Sequence, residues 1–238
     1  MTARAGGRRP EPRPGPDEAY LRDYAALLEG VAFPSVLLDR RWDVVLANTA
    51  FTELFRPVGP HPTAMPGDNF LRFVLFHPDA GLVLADREVR WCLPALARFA
   101  FLSERHADDP VLQAVRREIA EDPLMEAAYR QGLPHWTHLV GERAAREHDG
   151  ALRPLVCPGS QGAVLECRLV VETPSALAEL GYERMTLVLP EPAPEPEPDP
   201  RAVRPVRQGR TRGHLSLVHP AQHDVQHDVQ PDVQHDAD

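Results

Sequence analysis

The sequence predicts an α+β fold: an antiparallel sheet flanked by several helices, set between two disordered ends. Three observations carry this. Helical patterning fills the middle of the chain, two short strand-like runs come before it and three after it, which suits one sheet assembled from both halves of a domain. Within AVLECRLVVET (163–173), Val164, Glu166 and Arg168 alternate with Leu165, Cys167 and Leu169, the period of a half-exposed strand. Proline is abundant, 26 of 238 residues, and crowds the ends, where apolar periodicity is missing.

In chain order, Tyr20, Leu21, Tyr24, Leu27 and Leu28 form the stripe of an amphipathic helix that stops at Gly30. SVLLD (35–39) and WDVVLA (42–47) read as a tight antiparallel hairpin turning at Asp39-Arg40-Arg41. Asn48 is a good N-cap for the helix opening at Thr49, which ends before Pro57. Residues 57–66 are a proline-rich loop. A short helix comes next within 67–78, burying Phe70, Phe73, Val74 and Phe76. Residues 80–102 read as a long helix kinked at Pro94, whose ring removes a donor and crowds the preceding turn. Helices at 108–122 and 122–132 each start with an acidic cap and Pro, and Gly132 closes the second. LRPLVCP (152–158), 163–173 and YERMTLVLP (182–190) are the closing strands.

Composition narrows function. All 26 basic residues are Arg, a mark of GC-rich codon usage rather than of chemistry, and the net charge is −9. The middle stretch, residues 17–190, is acidic and so poorly suited to sequence-independent DNA binding. No apolar run reaches the length of a membrane span, and the Arg-bearing N-terminus is not a secretory signal. Three widely spaced cysteines, Cys92, Cys157 and Cys167, fit a reducing cytoplasm better than a disulfide framework. The expected organisation is a disordered Arg/Pro-rich 1–16, one domain over 17–190, and a disordered 191–238. That last stretch joins a Pro/acidic spacer, an Arg-containing segment and a QHDV repeat.

The segment WDVVLANTAFTELF resembles the opening of a PAS-type sensor. Tyr20-Leu21, the run Pro34 to Asn48, and Asn69 to Pro78 are similar, in order and spacing, to the ligand-binding domain of MmyB-like transcription regulators. The resemblance implies a PAS-like domain over about 17–190 that holds an apolar pocket for small or fatty-acid-like ligands. It also implies a role in transcription regulation. In such regulators a helix-turn-helix precedes this domain, and 16 residues are too few for one. DNA binding is therefore not expected of this chain alone; its output would pass through a partner, either another protein or a second copy in a homodimer, or through the missing DNA-binding module.

Candidate site residues are Asn48, Asn69, Phe70, Arg72, Phe73 and Trp91. Asn48 caps a helix or bonds a ligand, the cap being the stronger reading. Asn69 and Arg72 sit one turn apart. Either both reach one polar ligand group, with Arg72 receiving a carboxylate, or Asn69 caps and Arg72 pairs with a surface acid. Phe70, Phe73 and Trp91 would line the apolar part of such a pocket. His135, His138, His148 and Glu142 are the densest histidine cluster, and solvated or core histidines explain them better than a metal does. No catalytic motif, P-loop or dinucleotide fingerprint is present, and Pro158-Gly159-Ser160-Gln161-Gly162 is not a nucleophile elbow. Neither an enzyme nor a cofactor is expected. The alternative to a sensor is a ligand-free protein-interaction module whose pocket is filled by side chains.

Overall fold

The structure is a computed structural model that describes residues 15–157 and 162–190. Apart from Gly15 and Pro16, the two ends expected to be disordered lie outside the described residues, as do the spacer, the Arg-containing segment and the repeat.

The α+β class and the PAS-like antiparallel sheet are both found. Strands β1 (Ser35–Asp39), β2 (Val44–Ala47), β3 (Leu152–Val156), β4 (Val164–Glu172) and β5 (Tyr182–Val188) form one sheet in the order β2-β1-β5-β4-β3, antiparallel throughout. The last strand thus inserts beside the first. Register pairs Val36 with Ala47 on one side and with Met185 on the other, and Leu152 with Arg168 in the distal hairpin.

Period-two geometry gives the sheet two faces. The inner face carries Val36, Leu38, Met185, Leu187, Cys167, Leu169 and Leu155, all buried in the main core. The outer face carries Leu37, which packs with Tyr24 and Leu28 of α1 (Pro16–Glu29) and Leu177 of α9 (Ser175–Glu179) in a second, smaller cluster.

Helices α2 (Thr49–Leu54), α3 (Phe70–Phe76), α4 (Leu93–Arg105), α5 (Pro110–Glu121), α6 (Pro123–Ala127), α7 (Leu133–Val140) and α8 (Glu142–Arg146) lie between β2 and β3. Their starts obey the expected chemistry. Asn48 accepts a hydrogen bond from the Phe51 amide, Asn69 from that of Arg72, Asp109 from those of Val111 and Leu112, and Asp122 from those of Leu124 and Met125. Each supplies an acceptor for an otherwise orphaned first-turn donor. Phe51, Phe55, Phe70 and Phe73 then cluster, with ring centroids 4.8 to 6.0 Å apart. Such aromatic pairs contribute about 0.5–1.5 kcal/mol each beyond their burial.

Three expectations are corrected. The run 80–102 is not one kinked helix: a 3-10 turn (Pro78–Leu82) gives way to Asp86 at φ 48°, then a π-helical turn (Glu88–Cys92) leads into α4. Gly132 does not close its helix either, because a second π turn (Ala128–Gly132) carries the chain on into α7. Both π turns run into a Leu-Pro pair, Leu93-Pro94 and Leu133-Pro134. Proline lacks the N–H that would bond four residues back and collides with that carbonyl, and the wider π winding relieves the collision without breaking the helix. Finally, β2 begins at Val44 rather than at Trp42. The Asp39 carboxylate accepts from the Arg41 amide at 2.7 Å and the Asp43 amide at 2.9 Å, which curls the turn and leaves Trp42 at φ 67°.

Candidate functional site

A small cavity of about 30 Å³ lies against the inner face of the sheet. Its apolar wall is Leu38, Phe70, Val74, Trp91, Leu169, Val171 and Met185, with Pro94 and Ala95 of α4. Trp91 is fixed by its indole N–H, which donates to the Pro154 carbonyl at 3.0 Å. The π turn before α4 therefore holds one side of the cavity to β3.

The other side is polar and made of Trp42, Arg98, His148, Arg153 and Glu183. Arg98 forms an ion pair with Glu183, and both side chains are about one-fifth exposed. Its guanidinium carbon lies 5.6 Å from the centroid of the Trp42 ring, within cation–π range. His148 Nε2 donates to the Pro94 carbonyl at 3.0 Å, and its ring stands edge-on to Trp42 at 6.0 Å. Burial, reinforced by the charge of Arg98, pushes the His148 pKa down to about 3, so the imidazole is neutral. Arg153 projects from the same face of β3 as buried Leu155 and has no acidic partner among the described residues. Burial, and after it the nearby charge of Arg90, lowers its pKa.

Of the six residues singled out in the sequence, Phe70 and Trp91 line this cavity, and the other four lie elsewhere. The Asn48 side chain is saturated: Oδ1 accepts from the Ser35 and Phe51 amides, both at 2.9 Å, while Nδ2 donates to the carbonyls of Leu28, Val31 and Phe33. It is a buried knot joining α1, β1 and α2. Asn69 accepts from the Arg72 amide and donates to the Arg41 carbonyl and the Asp43 carboxylate. Arg72 forks onto Glu118 of α5, Nε to Oε2 at 2.9 Å and Nη2 to Oε1 at 2.8 Å, and this pairing raises its pKa. Phe73 is fully buried, edge-on to Phe55 at 5.1 Å and tilted against His77 at 5.5 Å.

The polar residues of the cavity went unselected in the sequence, though a signal for them exists. Glu183 shares the period-two phase of buried Met185 and Leu187, and Arg153 that of Leu155, so both charges occupy core-facing positions where charged side chains are rare. Arg98 lies four residues beyond Pro94 and seven beyond Trp91, on one helical face.

The histidine cluster separates in space, with His148 buried against Pro94 while His135 and His138 are exposed on α7. Among the described residues no three His, Cys, Asp or Glu side chains group as metal ligands. Burial pushes the thiols up, Cys92 to about 11, Cys167 to about 12, and Cys157 in the same direction. No helix among the described residues is long and apolar enough to cross a membrane.

A five-stranded PAS-like sheet with helices closing over a small, largely apolar cavity has the architecture of a ligand-binding domain. Residues 22–153 match the family described as the MmyB-like transcription regulator ligand binding domain. The chain belongs to that family. No curated protein matches it.

Proposed function

We propose that this chain senses an apolar or fatty-acid-like small molecule and passes the signal to transcription through a protein partner or a second copy of itself. The observation that carries the reading is the apolar cavity enclosed between the sheet and α3–α4 in a domain of this family. Pockets that hold small molecules measure about 300–1,000 Å³, far above the 30 Å³ present here. Binding therefore requires an expanded conformer, and the ligand acts by favouring it. A shift from one expanded molecule in a hundred to ninety-nine needs roughly 10⁴-fold tighter binding to that state. The expanded and closed forms then differ at the surface, which is what a partner reads.

The chain is proposed as a binder rather than an enzyme. Its buried thiols are held protonated, so none is ready as a nucleophile. The cavity's small volume favours a second reading, a ligand-free interaction module whose interior is filled by side chains. Mass spectrometry of protein purified without denaturation separates the two. A co-purifying lipid, or a one-to-one complex on adding dodecanoate, supports the sensor. A bare protein mass under both conditions overturns it.

A further inference from the structure

Trp42 combines three properties, of which the turn chemistry at Asp39 accounts only for the first. It is a bulky residue at φ 67°, in the left-handed region that side chains other than Gly avoid. It is 5% exposed, yet its indole N–H has no hydrogen-bond acceptor, in contrast to Trp91, whose N–H reaches Pro154. It also forms part of the wall of the cavity. A buried donor left unmatched is costly, and such groups in native proteins call for a reason.

The surroundings of Trp42 supply the reason. A surface groove of about 250 Å³, lined by Arg40, Leu102, Thr173 and Tyr182 among others, shares just two lining residues with the internal cavity, Arg98 and Glu183. The Arg98–Glu183 pair is thus the partition between groove and cavity, and the Arg98 guanidinium rests over the Trp42 ring. Each side chain is partly solvated, so parting them leaves neither charge stranded in an apolar interior.

We propose that Trp42 is the specificity-determining residue of this cavity: its indole N–H awaits an acceptor oxygen on an amphiphilic ligand that enters from the groove as Arg98 and Glu183 part. This rests on the sensor reading above and adds the polar half of the ligand. The tail packs against Phe70, Val74 and Trp91, and the oxygen-bearing end stays near Trp42, next to the Arg98 charge. A hydrocarbon without an acceptor would leave the indole donor unsatisfied and be discriminated against.

The test uses dodecanoate with the full chain. Its affinity is measured by calorimetry and the three tryptophan indole N–H resonances are tracked by ¹⁵N NMR after sequential assignment. On dodecanoate binding, the Trp42 indole proton is expected to move downfield, as a newly formed hydrogen bond requires. Trp42→Phe keeps the ring and loses the donor, and should weaken binding about tenfold. Glu183→Gln removes the charge pairing of the partition and should speed association in stopped-flow mixing. If dodecanoate binds while the Trp42 resonance stays in place, or if Trp42→Phe binds as tightly as the parent, the assignment is overturned and the sensor reading survives. No binding to the parent chain overturns both. Should Trp42→Phe fail to fold, the resonance of the parent protein decides.

Discussion

Acidification from pH 7 to pH 5 should destabilise the domain, with His148 responsible for about 2 kcal/mol of the loss. The ring is buried behind Pro94 and Trp42, and burial together with the Arg98 charge holds its pKa at about 3 against an ordinary 6.5. In the unfolded chain this histidine takes up a proton as pH falls below 6.5, while in the native state it stays neutral until near 3. Across that window the unfolded state binds one more proton, so native stability declines with falling pH. At pH 5 the unfolded group is roughly 1.5 pH units past its midpoint, and at 1.36 kcal/mol per unit this amounts to about 2 kcal/mol. Urea unfolding monitored by circular dichroism at pH 7 and pH 5, on the parent and on His148→Gln, isolates the contribution as a difference of differences. Equal losses in the two proteins would refute the reasoning.

The site sets three further outcomes. Asn48→Ala strips the acceptor from the Ser35 and Phe51 amides and the donor from three carbonyls, and should cost about 3 kcal/mol or more in urea unfolding. Arg72→Ala breaks the fork onto Glu118 outside the cavity, so dodecanoate affinity should stay within about twofold of the parent. Stability should fall by about 1 kcal/mol, because the Glu118 end of the pair is solvated. Alkylation with iodoacetamide at pH 8, read by peptide mass, should modify half-buried Cys157 before buried Cys92 and Cys167.

Local chemistry made much of the fold legible. The caps at Asn48, Asn69, Asp109 and Asp122 each satisfy first-turn amides, and that requirement is written within four residues of sequence. The alternation in β4 marked its buried positions from Cys167 onward, while Leu165 proved to be on an exposed part of the strand. The π turns were not legible, because their cause is a balance between a proline clash and the packing that keeps the helix intact. The site was half visible. Phe70 announced itself as a large apolar residue in a short helix, and Trp91 as one within the long helix expected over 80–102. Arg98 and Glu183, by contrast, meet across 85 residues, and no local pattern pairs them. Arg72 looked available for a ligand because its partner, Glu118, lies 46 residues further on.

The two π turns have a further meaning for how the chain tolerates change. Each inserts a residue's worth of slack into otherwise continuous helical winding. Each therefore absorbs one residue of length while the segments before and after its proline keep nearly the same rotational phase. An α-helix advances by about 100° per residue. A π turn winds by less than that, so deleting Val89 or Arg90 would return the turn to ordinary winding with little change of phase, and Trp91 and Arg98 would keep their seven-residue spacing. The turn is thus a place where the chain tolerates a one-residue change in length without dismantling the wall of the cavity that Trp91 and Arg98 share.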